Sequence, residues 1–302
     1  MWKGRPVSED ENSSRSASLG GGSRLRVGVV GLGAIGHGVA VSLVRSGRPP
    51  VVFDIRAGAA EGLDGIAGEM SSAAELAGVC DVVLVATLDE DQLHEALTGA
   101  DGILAGAEPG TIVVVLSTIA VAAVHQFADL CAGYGVSLLD CGVTPGDQAP
   151  LNGLVAFVGG RDDVVARALP VLEDFARAVI YCGPVGAGMT VKVARNVISY
   201  CTWTVVDEAA DLAHAAGVDR DVLLAALREA DARDPQYLKM LELRSSGFVV
   251  TAERIDNALA TAAKDLDAAT ELAARHGVQL PLAEATQPLV RNVFARNGAG
   301  AR

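Results

Sequence analysis

Residues 26–36 read Arg26-Val27-Gly28-Val29-Val30-Gly31-Leu32-Gly33-Ala34-Ile35-Gly36, an apolar run that meets a G-x-G-x-x-G turn and passes into an amphipathic segment from Ala34 to Arg45. A valine-rich run favours strand, and a strand that enters a glycine turn and leaves as a helix is the first βα unit of a parallel sheet. The glycines permit a tight turn, close approach of the backbone to a pyrophosphate, and close helix–strand packing, while free N–H groups at the helix start face the anion. Asp54 ends the next apolar run about 20 residues on, the spacing at which a carboxylate accepts from an adenosine ribose. Gly31, Leu32, Gly33, Ala34, Ile35 and Gly36, with Asp54, Ile55 and Arg56, are therefore the candidate cofactor-binding residues. The Asp54 carboxylate repels a 2′-phosphate and favours NAD, whereas Arg56 two residues later can turn towards one, so NADP stays open.

Outward from this stretch, short Val/Ile/Leu runs alternate with amphipathic segments, the pattern of successive βαβ units buried on both faces. The runs are Arg26–Val30, Pro50–Asp54, Val82–Thr87, Ile112–Leu116, Val136–Asp140, Leu154–Val158 and Val179–Cys182. Helices are predicted between them at Ala34–Arg45, Ser72–Leu76, Asp89–Leu97, Val121–Ala132 and Asp162–Ala176. After Gly188 the strand-like runs stop, apart from Phe248–Val250. Met189–Ala216 lacks Gly and Pro and is apolar on most sides, as expected of a long helix buried between domains. Further helices are predicted at Asp219–Ala230, Pro235–Leu243, Ala252–His276 and Pro281–Ala295, with Gly217 and Gly277 as stops and Pro281 as a start. The predicted fold is an α/β N-terminal Rossmann domain with a mostly parallel sheet, joined by a long inter-domain helix to an all-α C-terminal domain. The expected divisions are a flexible tail at 1–24, the dinucleotide-binding Rossmann domain at 25–185, and the inter-domain helix with the all-α C-terminal domain at 186–302.

Composition narrows the function. Half of the 302 residues are hydrophobic and 4% aromatic, so the core is built from aliphatic side chains. A net charge of −13 repels phosphate backbones and anionic lipid, which argues against nucleic acid or a membrane surface as partner. The five cysteines are scattered, without a C-x-x-C pair or metal-ligand spacing to His, so no metal is expected and reduced thiols in the cytoplasm are. Residues 1–24 lack an apolar h-region and do not read as a signal peptide.

A second signal is Gly186-Ala187-Gly188-Met189-Thr190-Val191-Lys192-Val193-Ala194-Arg195-Asn196. Lys192 and Asn196 are four apart and share one helix face. A lysine between valines on a mostly buried helix is costly as the ammonium, and lowered basicity suits proton transfer near neutral pH. A packed stem with its head in solvent is the plainer reading.

With these motifs in order, the chain resembles the β-hydroxyacid dehydrogenase family, which includes 3-hydroxyisobutyrate dehydrogenases and tartronate semialdehyde reductases, over about residues 25–296. The cofactor loop G-L-G-x-M-G appears as Gly31–Gly36 with Ile35 in place of Met, and the catalytic motif G-x-G-x-x-x-K-x-x-x-N is unbroken from Gly186 to Asn196. A K-D-L element, whose lysine lies over the cofactor in the family, appears as Lys264-Asp265-Leu266. The family's substrate element D-A-P-V-S-G-G appears as Asp140-Cys141-Gly142-Val143-Thr144-Pro145-Gly146. Thr144 keeps a hydroxyl and Gly146 an amide for a substrate carboxylate, but Pro145 has no N–H to donate. The resemblance also implies that Leu88 and Thr118 line the nicotinamide and its ribose, with Asp89 better read as the cap of the next helix.

What the resemblance implies is hydride transfer between NAD or NADP and a small β-hydroxyacid or semialdehyde. Lys192 is then the general acid/base, Asn196 its orienting partner, and a homodimer or higher homo-oligomer is expected. Two alternatives stand beside it: an imine reductase, a class that usually carries aspartate or tyrosine where this chain has Lys192, and a non-catalytic dinucleotide-binding protein.

Overall fold

The computed structural model describes residues 24–232, 238–246, 251–290 and 293. The chain divides into two compact units, one ending at Asn196 and the other beginning at Val197.

The first unit is built on one eight-stranded sheet. Its strands are β1 (Val27–Val30), β2 (Val51–Phe53), β3 (Gly68–Glu69), β4 (Val82–Val85), β5 (Ile112–Val115), β6 (Ser137–Thr144), β7 (Leu154–Gly159) and β8 (Ala176–Gly183), in the order β3-β2-β1-β4-β5-β6-β7-β8. Every neighbouring pair is parallel except β6 with β7. The chain leaves β1 to one side for β2 and returns on the other side as β4, which opens a crevice at the carboxyl ends of β1 and β4, where ligands of open α/β sheets bind. Val27 and Val29 of β1, Val82 and Leu84 of β4, and Ile112 and Val114 of β5 enter one hydrophobic layer, while Val30, Val83, Val85, Val113 and Val115 enter the other. The period of two with both faces covered explains why these strands are unbroken apolar runs.

The layers are closed by α1 (Ala34–Arg45), α2 (Ala73–Gly78), α3 (Glu90–Thr98), α4 (Ile103–Gly106), α5 (Val121–Ala132) and α6 (Asp162–Leu172). The helical remainder is α7 (Ala187–Ala215), α8 (Arg220–Ala230), α9 (Lys239–Ser245), α10 (Ala252–His276) and α11 (Pro281–Thr286). Gly217 and Gly277, at φ +88° and +69°, follow α7 and α10 as the stop signals predicted. Within the second unit, Glu208 of α7 accepts from the N–H groups of Leu282 and Ala283, filling the start of α11.

Several sequence expectations are corrected. β6 does not stop at Asp140 but runs four residues further, because pairing with β7 from Asp140↔Gly159 to Thr144↔Val155 holds it extended. α6 ends at Leu172 and β8 starts at Ala176, so the helix expected to Ala176 is shorter. The helix expected from Pro281 gives way after Thr286 to a 3₁₀ turn at Gln287–Leu289 that contains Pro288, which has no N–H for an α-helical bond. The two-residue β3 and one-turn α4 carry too few residues for a periodic signal. α7 buries only Gly188 and Met189, whereas a buried helix was expected; its Val193, Val197, Tyr200 and Trp203 are exposed. Residues 1–23, Phe248–Val250, the start of the helix expected from Pro235 and most of the segment after Val290 lie outside the described residues. Among the described residues no helix is long and apolar enough to cross a membrane.

Candidate functional site

The dinucleotide loop fits its cofactor by what it leaves open. Gly31 lies at φ +87°, and a Cβ there would stand 2.6 Å from the Ala86 carbonyl oxygen at the end of β4. A Cβ on Gly36 would stand 1.8 Å from the Gly31 carbonyl, so α1 packs on the turn at a distance only glycine allows. A Cβ on Gly33, by contrast, would meet nothing within 4 Å. Gly33 caps α1 without a side-chain hydrogen bond, and the first turn holds no acidic residue. Uncapped N–H groups, a positive helix end and open space are what a pyrophosphate requires.

Asp54 closes this loop from below. Its Oδ2 accepts from the Leu32 N–H at 2.7 Å and its Oδ1 from the Arg56 N–H at 2.9 Å, with the Arg56 guanidinium paired to it at 2.9 and 3.0 Å. The hydrogen bond from Arg56, against a smaller opposing effect of burial, lowers the Asp54 pKa to about 2, so it is a carboxylate at all working pH. Ile55, beside it, is exposed. Arg56, which sequence left between a loop charge and a phosphate ligand, is bound to Asp54.

The lysine seat is made by β6 and the first turns of α7. A Cβ on Gly142 would fall 2.4 Å from Lys192 Cβ and 2.9 Å from its Cγ, so the lysine stem lies directly on this glycine. The Lys192 ammonium donates to the Val143 carbonyl at 2.7 Å. Burial, and then the like charge of Arg195, push its pKa below the ordinary lysine range. Asn196 follows one turn later, half-buried on the same face. Because side chains alternate along a strand, Asp140, Gly142 and Thr144 share the face of β6 that meets α7, while Cys141 and Val143 enter the core. Thr144 is 8% exposed, and among the described residues its hydroxyl has no hydrogen-bond partner.

The segment after β6, expected to hold substrate, also reaches the Gly31–Gly36 loop and α1. A Cβ on Gly146 would lie 3.2 Å from Ile35 Cδ1, and Ser42 of α1 donates to the Ala149 carbonyl at 2.6 Å. Gly146 opens a 3₁₀ turn, Gly146–Leu151, that sequence did not signal. Leu88 and Thr118 follow β4 and β5 and are exposed. The two exits are tied together by Ser117 Oγ, which donates to the Thr87 carbonyl at 2.7 Å. Asp89 accepts from the Gln92 N–H at 2.9 Å and so caps α3. Lys264 lies on α10 of the second unit, exposed and 3.3 Å from Asp265. The residue that sequence reasoning passed over is Asp140, fully buried, whose Oδ1 and Oδ2 accept from the N–H groups of Gly186 and Met189 at 2.7 and 2.6 Å.

A dinucleotide crevice beside a half-buried lysine defines a Rossmann-type oxidoreductase, and comparison with known proteins narrows it. Residues 26–183 match the model for the NAD binding domain of 6-phosphogluconate dehydrogenase. Residues 186–302 match that for the NAD-binding domain of NADP-dependent 3-hydroxyisobutyrate dehydrogenase. The L-threonate dehydrogenase of Escherichia coli is 35% identical over 206 residues, 67% of this chain and 68% of that protein. The crystal structure of a 3-hydroxyisobutyrate dehydrogenase from Salmonella typhimurium is similar at 27% identity with a TM-score of 0.63, covering 89% of this chain and 94% of that one. An imine reductase from Streptomyces aurantiacus, 18% identical with a TM-score of 0.76 over 88% of this chain and 93% of that one, shares the fold.

The chain belongs to the β-hydroxyacid dehydrogenase family. It is an NAD(P)-dependent dehydrogenase acting on a CH–OH group of a small molecule.

Proposed function

We propose that this enzyme interconverts a small β-hydroxyacid and its semialdehyde with Lys192 as general acid/base. The observation that carries the proposal is the seat of Lys192: half-buried, stem on Gly142, ammonium on the Val143 carbonyl, and on the face of β6 that Thr144 shares. With the dinucleotide's pyrophosphate held at the Gly31–Gly36 loop, its nicotinamide would supply or accept the hydride. In reduction Lys192 gives its proton to the carbonyl oxygen as the carbon becomes CH–OH; in oxidation it takes the hydroxyl proton as the carbonyl forms. Its lowered basicity eases both directions. Asn196 orients the lysine or a substrate oxygen, and the Thr144 hydroxyl and Gly146 amide hold the far end of the substrate.

NAD is the favoured cofactor, because a carboxylate at Asp54, at the end of β2, would repel a 2′-phosphate and Arg56 is engaged in pairing with it. A homodimer is part of this reading, supported by the exposed Val193, Val197, Tyr200 and Trp203 of α7, which are apolar enough to need a cover. The scattered cysteines favour the cytoplasm. An imine reductase is the second reading, favoured only by Pro145, which removes an amide from the carboxylate anchor.

The test is absorbance at the reduced-nicotinamide band with NAD or NADP, a panel of β-hydroxyacids and semialdehydes, and a panel of cyclic imines. Turnover of hydroxyacids with NAD is expected. Turnover of imines alone overturns the proposal.

A further inference from the structure

The start of α7 has one local acceptor, the Pro184 carbonyl, which takes the Ala187 N–H at 3.0 Å. Gly186, at φ +89°, offers no side-chain acceptor, yet α7 begins against the sheet with Gly186, Gly188 and Met189 all buried. Buried N–H groups at a helix start need acceptors, since leaving one unpaired costs about as much as a lost hydrogen bond. Asp140 of β6 supplies two of them: its two carboxylate oxygens take the Gly186 and Met189 N–H groups. The approach is close: a Cβ on Gly188 would stand 2.8 Å from the Asp140 carbonyl oxygen and 2.4 Å from that of Phe157, and one on Gly159 would stand 2.5 Å from Asp140 Oδ1. Lys192 lies three residues beyond Met189 and lands on Gly142 and Val143, two and three residues beyond Asp140. One strand face therefore clamps the helix start and seats the lysine one turn later.

We propose that Asp140 is a positioning residue for the reaction: by clamping the first turn of α7 to β6 it fixes where the Lys192 ammonium stands relative to Thr144. The inference rests on the reading of Lys192 as general acid/base. Asp140 touches neither substrate nor cofactor in this account. It sets the register of the helix, and a carboxylate suits the task because it accepts from two donors at once and is favoured at a helix N-terminus. An amide in its place offers one acceptor and turns a donor towards the other N–H, so the first turn must shift. A displacement near 1 Å at a proton-transfer group costs on the order of 10²-fold.

The experiment compares four proteins: wild type, Asp140→Asn, Lys192→Ala, and Val171→Ala as a core variant remote from the lysine. Each is measured for melting temperature, cofactor dissociation constant, and kcat and KM for the hydroxyacid. Asp140→Asn is expected to lose about 10- to 100-fold in kcat with the cofactor constant within about twofold, whereas Val171→Ala lowers the melting temperature and keeps kcat. If Asp140→Asn does not fold, Asp140→Glu, which keeps the charge and lengthens the reach, is read in the same way. Wild-type kcat in the folded Asp140 variant, with Lys192→Ala inactive, overturns this inference and leaves the lysine reading standing. Full kcat in Lys192→Ala overturns the lysine reading, and this inference falls with it.

Discussion

Replacing Gly142 with alanine tests the lysine seat by a single methyl group. Gly142 is not in a left-handed conformation, so alanine strains no backbone dihedral there. Its Cβ meets the Lys192 stem instead, at 2.4 Å from Cβ and 2.9 Å from Cγ. Carbon atoms rest at about 3.5 Å or more, so the lysine and the α7 turn that carries it must move by about 1 Å. Overpacking of this kind costs about 1–3 kcal/mol of stability, which a well-packed domain survives. The same movement at a proton-transfer group costs about 100-fold in turnover, about 2.7 kcal/mol in the barrier. Steady-state kinetics by reduced-nicotinamide absorbance, with cofactor affinity from fluorescence titration, should show kcat down by that factor and affinity unchanged. A Gly142→Ala enzyme with kcat within about threefold of wild type would refute the seat as a requirement of the chemistry.

Asp54→Asn removes the charge that opposes a 2′-phosphate and releases Arg56, so the ratio of kcat/KM with NADP to that with NAD should rise at least about tenfold; an unchanged ratio counts against the assignment. The folded Asp54 pKa of about 2 lies below the ordinary 3.8, so its contribution to stability is full above about pH 4 and lost as pH falls towards 2; urea unfolding across that window should be flatter in Asp54→Asn than in wild type. Oxidation needs Lys192 unprotonated, so kcat for hydroxyacid oxidation should rise with pH through a limb below the ordinary lysine value of 10.5, and reduction should fall through the same limb; a limb at or above that value contradicts the buried seat. Pro145→Gly restores an N–H beside Thr144 and should lower KM for a carboxylate substrate about tenfold, a gain that a substrate held by another group would not show.

The parts of this molecule that sequence made legible are those with local causes. α1, α5 and α10 begin and end where periodicity, glycines and prolines placed them. The Gly31–Gly36 turn and Asp54 meet through the Leu32 N–H because strand order brings β1 beside β2. The far end of β6 was hidden for the opposite reason. Gly142 and Pro145 read locally as turn residues, and only pairing with β7, a partner later in the chain, keeps Cys141–Thr144 extended. Asp140 was hidden too, since a helix cap supplied 46 residues upstream leaves no pattern near Gly186. Lys192 was singled out from its motif, yet its seat is a long-range product of β6 and α7.

The most direct test of the whole account is turnover by Lys192→Ala beside wild type at saturating cofactor, with a hydroxyacid that wild type oxidises. A loss of about 100-fold or more in kcat, with cofactor binding intact, is the predicted result. Turnover within about tenfold of wild type would contradict the claim that this lysine carries the proton.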